Sequence, residues 1–181
     1  MSIKQSSKIL LLTRYNDRGA SSRLRFLQYI PYLEKNKVSI TTSTFFDDNY
    51  IKSLNIRNKR SIFRVLKSFV KRFFIFLTVY KYNLIWIEKE IFPFLPAWFE
   101  YILKFIGKPY VVDYDDAIFH DYNLSKNLLV KKLLGNKISN VMKNAKCVIV
   151  GNQYLANYAK NAKSTSIKLV PTVVDSTRYN Y

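Results

Sequence analysis

The sequence is poor in the residues that cross-link or interrupt small proteins. Its 181 residues include one cysteine, four glycines and five prolines. A single cysteine excludes an intramolecular disulfide framework, which fits a reducing compartment. So few glycines and prolines leave little room for flexible linkers. No apolar run approaches the roughly 20 residues that span a bilayer, and the one near the amino terminus is too short for a secretory signal.

Acidic residues are scarce as well. The chain has 30 Lys and Arg against 12 Asp and Glu, a net charge of +18. Such an excess predicts an acidic partner: nucleic acid, an anionic membrane surface or a phosphorylated substrate. Residues 49–87 and residues 122–174 each contain nine basic residues and no acid. The acids gather instead near residues 88–90 and 113–121, so these stretches are candidate sites.

Short apolar runs alternate with helical periodicity along the chain. With 49% hydrophobic residues, the chain can form a substantial core. Six runs have the composition of buried strands: KILLLT (8–13), KVSITTS (37–43), NLIWIEKE (83–90), KPYVVDYDD (108–116), KCVIVGN (146–152) and IKLVP (167–171). Strands that alternate with helices predict a doubly wound α/β domain with a mostly parallel, Rossmann-like sheet.

The segments between the strands make specific helix predictions. We expect Ser21 or Ser22 to cap the first helix, Pro31 to kink or split it, and Gly135 to interrupt a later helix. Residues 60–82 form one long amphipathic pattern. Its apolar stripe comprises Ile62, Leu66, Phe69, Phe73, Leu77 and Tyr80, and its basic side comprises Arg60, Arg64, Lys67 and Lys71. Two interpretations stay open: the stripe packs on the sheet, or residues 57–81 lie on an anionic membrane surface.

The stretch VVDYDDAIFHDYN (111–123) places three carboxylates where a buried strand ends. Ligands of open parallel sheets bind beyond the carboxyl ends of the strands. Asp113, Asp115 and Asp116 are therefore candidates to bind a divalent cation, to act as a general base, or to accept hydrogen bonds from sugar hydroxyls. The simpler alternative is that they cap the next helix or pair with nearby Lys and Arg.

Two families share an apolar strand followed by Asp-x-Asp. Haloacid-dehalogenase-like phosphatases also need a downstream acidic pair for magnesium, and residues 122–174 contain no acid, which argues against this family. The metal site of GT-A glycosyltransferases is similar too. We keep a metal-dependent GT-A transferase as the less favoured alternative, because the amino-terminal stretch does not resemble its nucleotide-binding segment.

Five stretches in the same order resemble the N-terminal half of family 4 glycosyltransferases with the GT-B fold, of the bacterial polysaccharide-biosynthesis type. They are GASSRLRFLQYIPYLEKNKVSI (19–40), YNLIWIEKEIFPFLP (82–96), GKPYVVDYDDAIF (107–119), NAKCVIVGNQYLANYA (144–159) and IKLVPTVVD (167–175). The resemblance implies a Rossmann-like acceptor-side domain over residues 1–170. It also implies that residues 171–181 begin a linker to a C-terminal donor-binding domain that this chain does not contain.

The function implied is the acceptor-binding half of a nucleotide-sugar-dependent glycosyltransferase. Such an enzyme, of the hexosyltransferase type and expected to retain anomeric configuration, takes part in polysaccharide or glycolipid assembly. Its partners are a nucleotide sugar and a sugar or lipid-linked acceptor, with no cofactor and no metal. We expect this half to be inactive alone, and to lie in the cytoplasm or peripherally on the inner face of the cell membrane.

The resemblance also assigns site residues by position. Asp115 and Asp116 are implied as catalytic groups that orient an acceptor hydroxyl. The implied substrate-binding residues are Gly19, Ser21, Ser22, Arg23, Arg25, Glu90, Asp113, His120, Gly151 and Asn152. For Arg23 and Arg25 a solvent-facing role is the alternative, for His120 a place in the loop, and for Glu90 an ion pair with a neighbouring lysine.

A basic nucleic-acid-binding module is the main alternative function. The charge permits it, and 14 Tyr and 13 Phe supply rings that can stack on bases. The sequence has no zinc-ligand spacing, RNA-recognition consensus or basic region followed by heptads. Its aromatics also fall at positions that the pattern predicts to be buried.

Overall fold

The computed structural model describes residues 7–46 and 62–175. These residues contain six strands in an all-parallel sheet of order β2-β1-β3-β4-β5-β6, flanked by helices. The predicted α/β, Rossmann-like class is confirmed. By internal contacts the chain divides into two compact units, Met1–Asn83 with Thr172–Tyr181, and Leu84–Pro171.

The first unit contains two parallel strands, β1 (Ser7–Thr13) and β2 (Val38–Thr44), in register from Ser7↔Val38 to Thr13↔Thr44. Its helices are α1 (Ala20–Arg25), α2 (Ile30–Lys35) and α3 (Ile62–Phe76), with 3-10 turns at Leu27–Tyr29 and Val79–Lys81. Leu10, Leu11 and Leu12 are fully buried, as expected for a continuous apolar strand covered on both faces.

The start of α1 differs from the prediction. Gly19 is the N-cap residue, and no side chain caps the helix. The hydroxyl of Ser22 is buried and accepts a hydrogen bond from the Tyr15 N–H at 3.1 Å. The predicted serine cap is therefore wrong. Pro31 does split the segment: it lies in the first turn of α2, where its missing N–H breaks no helical hydrogen bond.

The long amphipathic segment forms one helix that ends at Phe76. Residues 57–61 of the prediction lie outside the described residues. Most of the apolar stripe does not pack on the sheet: Ile62 is 84% exposed and Leu66 is 59% exposed. Phe69 is the exception, since its ring packs edge to face on the buried Phe45 that follows β2. That interpretation is therefore wrong for most of the stripe, and Arg72 and Phe76 are the buried residues of the helix.

The second unit contains four parallel strands in chain order: β3 (Leu84–Glu88), β4 (Tyr110–Tyr114), β5 (Cys147–Val150) and β6 (Ile167–Leu169). Its helices are α4 (Trp98–Phe105), α5 (His120–Asn123), α6 (Leu128–Leu134), α7 (Lys137–Asn144) and α8 (Gln153–Asn161).

The predicted interruption at Gly135 is confirmed, since α6 ends there and α7 begins at Lys137. A Cβ atom on Gly135 would lie 2.4 Å from the Lys131 carbonyl oxygen, so only glycine fits this close approach. No helix in the described parts of the chain is long and apolar enough to cross a membrane.

Candidate functional site

One lysine and two aspartates meet where β3 and β4 end. The two strands are in register, with Glu88 opposite Asp113, so the residues that follow them emerge side by side. The Lys89 Nζ lies 3.0 Å from Asp115 Oδ1 and 2.6 Å from Asp116 Oδ2. The Lys89 side chain is 6% exposed, that of Asp115 17% and that of Asp116 65%. A buried cation thus holds one shielded and one accessible carboxylate.

The backbone at Lys89 is strained. Its φ angle is +68°, which is uncommon for a residue with a Cβ atom. The Glu90 N–H donates to the Glu88 carbonyl at 2.8 Å, so the three residues have the hydrogen bond and central φ of a classic γ-turn, a rare and strained conformation. Such strain persists only where surrounding contacts hold it, and it clusters at functional sites.

Two contacts from β4 hold this turn. The Lys89 N–H donates to the Asp113 carbonyl at 3.1 Å. The buried Tyr114 hydroxyl donates to the Lys89 carbonyl at 2.6 Å. Both backbone groups of Lys89 are therefore satisfied, and its ammonium is directed to the aspartates.

The two aspartates stabilise the protonated, ammonium form of Lys89. Burial lowers the pKa of Lys89, but the carboxylates of Asp115 and Asp116 more than offset this effect, and the pKa of Lys89 is raised above 10.5. Lys89 is thus a cation at neutral pH. Because Asp116 is largely exposed, its free oxygen lone pairs can accept hydrogen bonds from a ligand hydroxyl.

A half-exposed aromatic pair follows the ends of β4 and β5. His120 begins α5, and its Nε2 lies 2.8 Å from the hydroxyl of Tyr154 in the first turn of α8. Behind them Phe119 stacks on Tyr158, with ring centroids 3.6 Å apart. The pair therefore offers aromatic surface and polar atoms to a ligand at this edge of the sheet.

Gly151 and Asn152 have structural partners. The Gly151 N–H donates to the Tyr114 carbonyl at 2.8 Å. The exposed Asn152 caps α8, since its side chain accepts a hydrogen bond from the Leu155 N–H at 3.0 Å. Both residues lie at the carboxyl end of β5, as expected, and they fix the start of the helix that carries Tyr154.

Glu90 lies in a buried network. Its Oε2 is 2.5 Å from the Lys137 Nζ, and the Tyr122 hydroxyl lies 3.0 and 2.9 Å from its two oxygens. The Lys137 Nζ also donates to the Phe92 carbonyl at 2.6 Å. Glu90 therefore pairs with Lys137, not with the adjacent Lys89, and the network anchors the loop between β3 and α4.

Glu100 supports the same loop from α4. It is 1% exposed, and its Oε1 accepts a hydrogen bond from the Ile91 N–H at 2.9 Å. Burial raises the pKa of Glu100, and the Ile91 N–H and the charge of Lys137 only partly offset this effect.

Asp113 is buried at the end of β4, 3% exposed.

The implied site residues of the first unit lie in and after the loop that follows β1. A Cβ atom on Gly19 would lie 2.5 Å from the Tyr15 Cβ, so glycine is required there. Arg23 donates to the Asp17 carbonyl at 2.6 Å. Arg25 is buried and donates to the Thr172 hydroxyl at 3.1 Å, so the solvent-facing alternative is wrong for Arg25.

Ser21 is half-buried in the six-residue helix α1, beside the fully buried Ser22.

Sequence reasoning missed the cations and hydroxyls that organise the site, which are Lys89, Tyr122, Lys137 and Tyr154. A lysine between two glutamates directly after a strand was a signal for Lys89. No comparable signal marked Lys137, because it is 47 positions from Glu90. Within residues 7–46 and 62–175, no group of three or more His, Cys, Asp or Glu is arranged to hold a metal ion.

Comparison with protein-family models and with curated proteins gives no match for this chain.

Proposed function

We propose that this chain binds the acceptor in a nucleotide-sugar-dependent glycosyltransferase of the GT-B type. The observation that carries the proposal is the accessible carboxylate of Asp116, held by the buried Lys89 where β3 and β4 end. Carboxylates fixed in this way accept hydrogen bonds from sugar hydroxyls without first having to be ordered.

The neighbouring side chains supply complementary contacts. His120 and Tyr154 offer an aromatic edge and polar atoms beyond the ends of β4 and β5. In the proposed enzyme, Asp115 and Asp116 orient the acceptor hydroxyl, and a second domain binds most of the nucleotide sugar. Transfer to a sugar or lipid-linked acceptor then belongs to polysaccharide or glycolipid assembly.

Amide chemical shifts test the proposal on the chain itself. We would titrate isotope-labelled protein with glucose, galactose, mannose and N-acetylglucosamine, and then with their uridine and guanosine diphosphate derivatives. The expected result is saturable shifts in residues 113–123 and 151–154. No shift with any saccharide or nucleotide sugar would overturn the proposal.

Binding of a single-stranded RNA oligonucleotide tests the alternative function. The alternative of a basic nucleic-acid-binding module keeps support from the net charge of +18. The prediction that the aromatics are buried is wrong for several of them, including Phe63, Trp98 and Phe105. Tight RNA binding that weakens steeply with salt, with no response to saccharides, would favour that module.

A further inference from the structure

Helix α3 has three distinct faces. Successive helical residues are about 100° apart around the axis. On this basis, one arc of about 120° carries only large apolar side chains, a second carries basic side chains, and a third is buried. The apolar arc consists of Ile62, Phe63, Leu66, Val70, Phe73, Phe74 and, in the turn that continues the helix, Leu77.

The apolar arc is open to solvent. Exposed fractions range from 44% at Phe73 to 84% at Ile62, and Phe63 and Phe74 are 76% and 63% exposed. Proteins rarely expose so many adjacent large apolar side chains unless the surface contacts a membrane or another molecule. An explanation in terms of the core is excluded, because the helix already buries a different face.

That buried face fixes the helix to the first unit. Arg72 is 2% exposed and donates to the carbonyls of Thr13 at 2.8 Å and Ser43 at 3.1 Å, at the carboxyl ends of β1 and β2. The Asn83 N–H donates to the Lys8 carbonyl at 2.8 Å, so the chain after the helix returns to the amino end of β1.

The helix therefore runs antiparallel to the strands. The ten residues Ile62–Lys71 precede Arg72 and lead away from it, toward the side of the carboxyl ends of β1 and β2, over about 15 Å at the helical rise of 1.5 Å per residue. The apolar arc lies on a different face of the helix from the one that Arg72 fixes to β1 and β2.

The charges beside the arc select the kind of surface. Arg64, Lys67 and Lys71 are exposed on the face that borders the apolar arc, and residues 62–87 contain no acid. Phenylalanine and leucine flanked by long basic side chains are typical of helices that lie in the headgroup layer of a membrane, because the cations reach the lipid phosphates while the apolar arc inserts.

We propose that α3 docks on an anionic lipid surface, with its axis in the plane of the headgroups and its apolar arc inserted. The occupant of this face is a bilayer that contains anionic phospholipid. The proposal is independent of sugar transfer, since it depends only on the faces of α3.

Vesicle co-sedimentation tests this directly. We would compare vesicles of phosphatidylcholine alone with vesicles of phosphatidylcholine and phosphatidylglycerol in equal parts. We expect binding to the anionic vesicles that weakens with added salt, as interactions of exposed charges do. No binding of the wild-type chain to anionic vesicles would overturn the proposal.

Matched variants separate α3 from the rest of the basic surface. The double variant Phe63→Ser/Phe74→Ser should weaken vesicle partitioning by at least about tenfold, because two inserted rings are lost. Lys67→Gln should weaken it by about fivefold, as expected for one basic residue near an anionic surface. The controls are Phe105→Ser, which removes a ring that is 91% exposed on α4, and Lys160→Gln, which removes an exposed charge on α8.

Both control variants should bind like the wild type. If the α3 variants lose no more partitioning than their controls, the proposal is wrong. Sedimentation velocity tests whether the face instead binds a second copy of the chain. If the wild type self-associates but does not bind vesicles, and the double phenylalanine variant does not self-associate, the membrane proposal is overturned. Urea unfolding of each variant confirms that it is folded.

Discussion

The Nζ of Lys89 lies 2.6 Å from Asp116 Oδ2, and this contact joins the residues that follow two neighbouring strands. The lysine is buried and the aspartate largely exposed. The ammonium therefore holds the carboxylate from the protein side and leaves its other side to a ligand. A strained turn places the ammonium there, which links backbone conformation to the proposed binding site.

Two substitutions of Lys89 separate the effect of backbone strain on folding stability from the effect of the ion pair. Lys89→Ala and Lys89→Gly both remove the ammonium, but only glycine adopts a φ of +68° without steric cost. We expect Lys89→Gly to be more stable than Lys89→Ala by about 1–2 kcal/mol, the cost of a left-handed conformation for a residue with a Cβ atom. Urea unfolding of the two variants measures this difference.

The order of stability is the decisive result. At most positions glycine is the less stable of the pair, because it loses more backbone entropy on folding. Lys160→Gly and Lys160→Ala, at an exposed helical position in the last turn of α8, provide that ordinary case as a control. If alanine is also favoured at position 89, the turn is not strained in the folded protein.

The strand pattern was predictable, but its end at Lys89 was not. The apolar run from Leu84 continues to Glu88, and the sequence prediction extended the strand to Glu90. The γ-turn arises because Tyr114 and Asp113 on the next strand bond both backbone groups of Lys89. The periodicity of one segment carries no information on its contacts with another strand, so it could not predict this turn.

Helix α3 shows a second limit of sequence reasoning. Periodicity correctly predicted an amphipathic helix, but it cannot state which face is turned to the sheet. The apolar stripe was one candidate for the core. The structure instead buries Arg72, because its guanidinium satisfies carbonyls at the ends of β1 and β2. A charged side chain with such partners can replace an apolar one at a buried position.

The pair of Lys137 and Glu90 should be essential for folding stability. The two side chains are 1% and 3% exposed, with 2.5 Å between charged atoms. Lys137→Met leaves Glu90 buried without its cation, and we expect a loss of about 3–5 kcal/mol in the free energy of unfolding. Lys143→Met, at an exposed position of the same helix, should change it by less than about 0.5 kcal/mol.

A double variant shows whether the loss comes from the uncompensated charge. Lys137→Met/Glu90→Gln removes both charges, so it should recover part of the stability that Lys137→Met loses. Additive losses in the two single variants would mean that the side chains act independently and would contradict a coupled network of Glu90, Tyr122 and Lys137.

The buried Glu100 predicts a specific dependence of stability on pH. Since burial raises the pKa of Glu100 above its usual value of 4.5, the folded protein binds a proton more tightly than the unfolded chain. This contribution to stability is full below the unfolded pKa and is lost as pH rises through the folded pKa. The Glu100→Gln variant lacks it.

We therefore expect the stability of Glu100→Gln, relative to the wild type, to increase as pH rises from about 4 toward 7. Chemical unfolding at several pH values measures the difference between the two proteins, so that constant effects of the substitution cancel. Glu34→Gln, which changes an exposed carboxylate in α2, is the control and should show little such trend. A flat difference for Glu100→Gln would mean that burial does not control this carboxyl group.

Asp116→Asn tests the proposed site with the least disturbance to the fold. The Asp116 side chain is 65% exposed, so its contribution to folding through Lys89 should stay below about 1 kcal/mol. Binding of a saccharide should weaken by about tenfold or more, because hydrogen bonds to a charged acceptor are stronger than those to an amide. In an enzyme that carries the donor-binding domain, turnover should fall as well.

Asp121→Asn makes the same change at an exposed position in the first turn of α5, and should leave binding unchanged. Equal saccharide affinity in the two variants would show that the Asp116 carboxylate only pairs with Lys89.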